Sequence, residues 1–489
     1  MTESTISQDP PAASTPSSAK KTPAAGSWGD LLGPAHLAAA LVLAGGVALY
    51  AMNVYVTAAL LPSAIGEIGG AEYYAWVATS FLTASVVASM LVNRLLSSLG
   101  PSRAYLTAFL IFGAGALINA LSPNMELFLV GRIIQGIGGG LLTGLGFAVI
   151  RTALPARLWT RAAGLVSAMW GVGNLIGPAL GGLFAQFGLW RWAFGLLVAA
   201  ALVLAFLSRK ALPHNSESHL KHPPLPLLSL VLLTLAAAIF SVTSVLPKGI
   251  WTVLGIVAGV LLMAGFIWRE RVAKATVLPK LSYLKGNSLK WIYLSLAALS
   301  AGAMTESFIP LFGQELGGMI PLLAGFLGAA LSVGWTVAQL FSVNLSTDAS
   351  KRVVRLAGPL VLAAGLASYG LLQQAGAGPW LVVLWAIILF VAGAGIGSAF
   401  PHFSVAAMSS TDDEDEGQKA AAGISTTQLI ANAVASALAG ILVSLGAPSM
   451  IDSARLMSFG IAAVALIGFG TAIASVRGSR RSQLTSAEK

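Results

Sequence analysis

Two ionisable side chains stand deep inside apolar stretches of this sequence, where a charge is costly and is usually kept for function. Glu306 lies in Met304-Thr-Glu-Ser-Phe-Ile-Pro310, and Arg132 in Gly131-Arg-Ile-Ile-Gln135-Gly136. A carboxyl so placed can load and release a proton, or hold a cation, beside a cavity. It can equally be a structural hydrogen-bond partner for a neighbouring helix. An embedded guanidinium can bias a nearby acid or hold an anionic group of a substrate. Its structural alternatives are snorkelling to an interface or a fixed pair. Asn53, Tyr55, Thr57, Gln135 and Gln428 are polar residues in the same kind of apolar surroundings and are candidates to line a cavity. A third feature is the run Gly171-Val-Gly173-Asn-Leu-Ile-Gly177-Pro178-Ala-Leu-Gly181-Gly182. Small residues let helix backbones approach closely, and proline frees a carbonyl and bends the helix. Gly173, Gly177, Pro178, Gly181 and Gly182 are therefore read as an interface or hinge between two bundles.

The elements that must position these residues are membrane helices. The chain has 489 residues, 56% of them hydrophobic and 9% charged, with a mean hydropathy of +0.82. A soluble protein of this size carries about 25% charged residues. A helix needs about 20 apolar residues to cross the hydrocarbon core. On that basis spans are expected near 37–61, 74–96, 104–122, 127–150, 162–186, 190–208, 225–246, 250–268, 291–313, 319–343, 354–373, 379–401, 420–445 and 455–475, about fourteen in all; twelve remains open if the pair between His222 and Trp268 is misread. With the N-terminus in the cytoplasm, 24 of the 28 basic residues fall on the cytoplasmic side, the others being Arg132, Arg191, Lys248 and Arg455. That satisfies the positive-inside rule with both termini inside. The net charge of +10 is thereby explained by orientation, without nucleic acid. The expected division is a disordered tail over 1–33, a first helical bundle over 34–212, loops and two further membrane helices over 213–288, a second bundle over 289–476, and a tail over 477–489. A short likeness between the segments at Asn93–Ser97 and Asn344–Asp348 hints at an internal repeat, a mark of secondary transporters.

Several chemistries find no support. Cysteine is absent, which excludes disulfides and thiol catalysis. No nucleotide-binding loop and no embedded cluster of His and acids is seen, so no enzyme activity, cofactor or metal is expected. His214, His219 and His222 with Glu217 read as a solvated linker, as does the acidic run Asp412-Asp-Glu-Asp-Glu416. Trp190-Arg-Trp192 lies at a membrane boundary, where aromatic belts form.

Together these residues resemble the major facilitator superfamily, and within it the fourteen-span drug:proton antiporters. The Gly171–Gly182 run is similar to that family's antiporter motif. Gly131-Arg132-Ile-Ile-Gln135-Gly136 resembles its fourth-span motif, whose arginine is linked to proton transfer. Leu60-Leu-Pro62 to Tyr74-Ala-Trp76 resembles the first hairpin, and Phe266-Ile-Trp-Arg-Glu270 with Leu278-Pro279 the stretch after two extra central helices. The resemblance implies an all-α fold of two six-helix bundles plus that inserted pair, alternating access, and proton-coupled export of drugs or other amphipathic molecules. It implies a role in proton transfer for Arg132, while Glu306 is read as the coupling acid because it is the carboxylate deep in a span. Three features depart from the family, one being that its cation-binding acids are not evident in spans 1 and 2, which counts against a standard multidrug-cation substrate and shifts weight onto Glu306. Asn53 stands where an aspartate is common. The loop after the second span keeps Gly100 and Arg103 but has Asn93, Ser97, Pro101 and Ser102 in place of the usual charges. The cytoplasmic latch then falls partly to Asp348 with Arg352. The expected partners are a small amphipathic substrate, protons and membrane lipids, with the chain a monomer in a bacterial-type cell membrane. Export of a lipid or a specific metabolite, or a channel or scaffold role, are the alternatives.

Overall fold

The computed structural model describes residues 27–214, 226–243, 246–247, 249–273, 275–283, 287–342, 344–345, 347–410 and 414–487. Most of the expected tail, His219, His222, Glu217 and the start of the acidic run lie outside them. All regular elements among the described residues are helical. In chain order the main helices are α1 (Leu37–Ile68), α2 (Tyr74–Ser89), α3 (Val92–Leu121), α4 (Met125–Ala148), α5 (Trp159–Gln186) and α6 (Trp190–Ala211). Then come α7 (Leu227–Thr243), α8 (Ile250–Val272), α9 (Leu289–Ala303), α10 (Ile309–Glu315), α11 (Pro321–Ser342), α12 (Asp348–Leu371), α13 (Pro379–Met408), α14 (Glu414–Gly446) and α15 (Met450–Ala487). Twelve helices among the described residues are long and apolar enough to cross a membrane. Two of the expected spans are shorter here: α2 has 16 residues and α7 has 17. At 1.5 Å per residue they reach about 24–26 Å against a hydrocarbon core of about 30 Å.

Helices α1–α6 pack on one another as a first half, and α9–α15 as a second. Helix α7 packs on α8 and also on α2 and α14, one helix from each half. The halves meet near the turn between α1 and α2, an end marked by Gly69. There the Tyr74 ring stacks on Phe308 at 5.1 Å, and its hydroxyl donates to Ser307 O at 3.2 Å. The backbones of Gly182 and Leu322 also come together at this end.

The chain breaks its helices where local chemistry requires it. Gly100 adopts φ 73°, ψ 166°, a conformation an L side chain avoids, and so interrupts α3 just before Pro101. Beyond the break Ser102 N bonds Pro213 O and its hydroxyl bonds Ser208 O, tying the segment to the end of α6. This opposite end of the bundle is marked by Gly100. The terminal segments are partly ordered: Trp28–Leu31 is a short helix capped by Ser27 and Asp30, and α15 continues through the expected 477–489 tail to Ala487. Trp190 belongs to the core rather than to an aromatic belt, because it is buried and its indole N–H donates to Glu67 at 2.6 Å. Glu67 also pairs with Arg191, the single ion pair among the described residues.

Candidate functional site

Arg132 is set on α4 by close helix approach. A Cβ on Gly136 would stand 2.4 Å from Phe81 O, and one on Gly140 2.2 Å from Ser85 O. Glycine at these positions lets α2 lie directly on α4, which brings Val77 O within 3.0 Å of Arg132 Nε. Gly131 does the same for α3, where Asn119 Oδ1 occupies the space a Cβ would take. Arg132 Nη1 donates to Gln135 Oε1 at 2.9 Å, Asn53 Oδ1 at 3.0 Å and Thr57 Oγ1 at 3.3 Å. Asn119 Nδ2 also donates to Gln135 Oε1 at 2.9 Å, and the guanidinium lies 4.3 Å from the Phe81 ring centre. The side chain is 1% exposed and pairs with no carboxylate among the described residues. It does not snorkel. Asn53 and Gln135, expected in a cavity wall, are 0% exposed and serve as acceptors for Arg132 instead. Thr57 and Arg132 do line a cavity, with Tyr74, Val77, Phe81 and Met304.

Glu306 does not sit in a continuous helix. The 291–313 span is broken into α9, a 3-10 turn over Met304–Ser307, and α10. Pro310 supplies the physical reason: it has no N–H to bond the carbonyl of Glu306, four residues earlier. Gly328 on α11 accommodates the proline ring, since a Cβ there would stand 3.0 Å from Pro310 Cγ. The same contact brings Ser332 to the acid. Ser332 Oγ donates to Glu306 Oε1 at 2.5 Å, and Tyr55 Oη lies 3.2 Å from Ser332 Oγ. A serine hydroxyl has one proton to give, so the tyrosine must be the donor in that second bond. The result is a chain from Tyr55 through Ser332 to Glu306 that crosses from the first half to the second. Glu306 is 4% exposed.

Helix α1 joins the two clusters. Asn53 and Thr57, four residues apart, share the face turned to Arg132, and Tyr55 turns to the other half. A second cavity is lined by Tyr50, Tyr55, Trp170, Trp335, Gln428 and Asn432. Tyr50 and Trp170 meet edge to face at 5.4 Å. The walls of this cavity carry aromatic faces and side-chain amides. Sequence reasoning missed Ser332, Trp170, Trp335 and Asn432. The aromatic pair spaced across the two halves was the only available signal.

The glycine run divides its work. Gly173, Gly177 and Gly181 pack on α1 within the first half: their Cβ atoms would stand 2.4 Å from Ala51 Cβ, 2.6 Å from Tyr55 Cβ and 2.4 Å from Val56 O. Pro178 and Gly182 face the second half, at Gly325 and Leu322. Gly100 and Arg103 lie near the opposite end, with Arg103 exposed. Asp348 and Arg352 form no ion pair; Asp348 is exposed in the first turn of α12, where Thr347 caps the helix through Ser350 N.

A helical bundle in two halves with buried polar clusters and a cavity between them is the architecture of a membrane transporter rather than of an enzyme. Residues 43–439 match the model of the Major Facilitator Superfamily, and the chain belongs to that family. It is 44% identical over 449 residues to a protein of Mycobacterium tuberculosis described as a probable multidrug-efflux transporter, covering 90% of this chain and 95% of that one. It is 25% identical over 352 residues to the multidrug efflux pump SdrM of Staphylococcus aureus, covering 71% and 76%. Among solved structures, a bacterial homolog of the human lysosomal transporter Spinster aligns with a TM-score of 0.62 at 13% identity, covering 91% of this chain and 98% of that one. A D-xylose-proton symporter aligns with a TM-score of 0.62 at 16% identity, covering 90% and 97%. At such identities these two carry the fold alone.

Proposed function

We propose that this chain is a fourteen-span, proton-coupled exporter of drugs or other small amphipathic molecules, working by alternating access. The multidrug-efflux description of its 44% identical relative supports the substrate class. The observation that carries the coupling is the Tyr55–Ser332–Glu306 chain across the two halves. With Glu306 ionised, both hydroxyl protons point toward the carboxylate. Once the carboxyl is protonated it can donate instead, and the direction of the chain can reverse. Loading a proton therefore changes a contact that only one arrangement of the halves makes. Tyr55 also lines the aromatic cavity, so substrate and proton act on the same side chain.

Arg132 supports a different role from the acid. Its bonds to α2 and α1 fix the wall of the cavity and hold a positive charge there. Helices α2 and α7 are taken as spans because each connects neighbours whose ends lie at opposite faces of the bundle. The excess of basic residues at the Gly100 end supports a cytoplasmic assignment for that end and for both termini, in a cell membrane, with the chain acting as a monomer.

The test uses the full chain in proteoliposomes, with ethidium as a lipophilic cation and an imposed pH gradient. The wild type should concentrate ethidium against its gradient while protons move the other way. Glu306→Gln should still bind ethidium but should fail to drive it uphill. Uphill transport retained in Glu306→Gln would show that the coupling acid lies elsewhere.

A further inference from the structure

Arg355, in the second turn of α12, is buried to 9% exposure, yet its Nε–H has no hydrogen-bond partner and the side chain forms no ion pair among the described residues. Arg132 shows the contrast: it is buried more deeply, and its donors are met by Val77, Asn53, Thr57 and Gln135. A guanidinium carries five N–H donors and no acceptor, so an unmatched one near the end of a span is a costly arrangement unless something outside the chain supplies oxygen.

The surroundings of Arg355 favour an anion. Helices α12 and α13 cross tightly where a Cβ on Gly358 would stand 2.5 Å from Gly395 O. One turn nearer the Gly100 end, the Arg355 guanidinium lies 6.0 Å from the ring centre of Phe403. Beside it His402 is held by Ser342, with Nε2 2.9 Å from Ser342 Oγ and 3.1 Å from Ser342 O. Lys351 lies within electrostatic range of His402, and Arg352 within range of Arg355. Among the described residues Asp348 is the one carboxylate within that range of Arg355, and it is exposed in the first turn of α12. Helix α11 carries no ionisable residue, and α13 carries only His402. Among the described residues cations therefore outnumber acids at this corner, near the start of α12.

We propose that Arg355, with Lys351 and His402 beside it, binds the phosphate of an anionic lipid headgroup at the Gly100 end of the second half. A phosphate offers the paired oxygens that a guanidinium fork matches, and basic pockets between membrane helices hold such headgroups. The site is separate from the Glu306 chain, so it stands or falls without the coupling reading.

Native mass spectrometry of the full chain in detergent tests it, with dioleoylphosphatidylglycerol, dioleoylphosphatidylcholine and inorganic phosphate as probes. The wild type should retain the phosphatidylglycerol in preference to the phosphatidylcholine. Arg355→Gln should weaken that retention at least about fivefold, the effect of one cation near a charged surface. Arg355→Lys should fall between, keeping charge without the fork, and it remains informative if the glutamine variant does not fold. Full displacement of the lipid by inorganic phosphate, with no preference for phosphatidylglycerol over phosphatidylcholine, would make free phosphate the ligand and overturn the lipid assignment. Asp412→Asn with Asp413→Asn, at residues outside the described ones, should leave or strengthen lipid retention. Retention unchanged in both Arg355 variants, or lost on neutralising the two acids, would overturn the proposal.

Discussion

The closest test of movement between the halves is Gly182→Leu. In this structure a Cβ at Gly182 would stand 2.7 Å from Leu322 Cα and 2.9 Å from Pro321 O, both backbone atoms of the second half. Carbon contacts are comfortable at about 3.5–4.0 Å, so the two helices must part by roughly 1 Å. Backbone cannot rotate away as a side chain can. Overpacking of this kind costs about 1–3 kcal/mol. The gain in helix propensity from glycine to leucine, about 1 kcal/mol, applies in every state and cancels. The penalty is felt only where the halves meet at the Gly69 end. The balance should therefore shift toward an arrangement open at that end by roughly five- to 150-fold. The chain has no cysteine, so one introduced at Ala58, in the wall of the Arg132 cavity, reports access cleanly. Its reaction with a membrane-impermeant maleimide added on the Gly69 side should speed up in Gly182→Leu. A labelling rate within twofold of the parent would refute the reasoning, because the halves would then not exchange a contact at Gly182.

Gly177→Leu should act differently, since its neighbours Tyr55 and Met52 belong to the same half. It should lower the thermal midpoint of the purified protein by the equivalent of about 2 kcal/mol, with little change in maleimide access at Ala58; the reverse pattern would make Gly177 a hinge. Arg132→Ala leaves Val77 O, Asn53 Oδ1 and Gln135 Oε1 without their cation and should cost about 3 kcal/mol or more, with Arg132→Lys intermediate. An unchanged midpoint for Arg132→Ala would mean that these buried bonds contribute nothing net. Ser332→Ala removes the middle of the chain to Glu306 and should reduce proton-driven ethidium export about tenfold, the equivalent of one hydrogen bond to a charged group. Ser332→Thr, which keeps the hydroxyl, should restore most of it; equal export by both variants would remove Ser332 from the pathway.

The sequence by itself determined the class of this protein. Runs of about 20 apolar residues leave no fold but a helical membrane bundle, because backbone polar groups in hydrocarbon must pair within their own helix. The two embedded charges, Glu306 and Arg132, and the glycine run at 171–182 were equally legible, since each is a local departure from an apolar background. Asn53, Tyr55 and Thr57 read together as cavity groups, although helical period puts Tyr55 on the face of α1 opposite the other two. The tertiary structure decided what each face meets. Ser332 is one serine in an apolar helix and carries no mark in the sequence; it matters because Gly328, one turn away, lets the Pro310 break of the next helix settle against α11. Asn53 and Gln135 read as cavity polar groups, but close packing of α2 and α3 on α4 turns them inward to Arg132. The same holds for Arg355, whose Nε–H is seen to lack a partner among the described residues only when the neighbouring helices are in place. Hydrophobic length is written residue by residue along one chain. Which donor finds which acceptor depends on backbones brought together from positions hundreds of residues apart, and a local pattern does not carry that information.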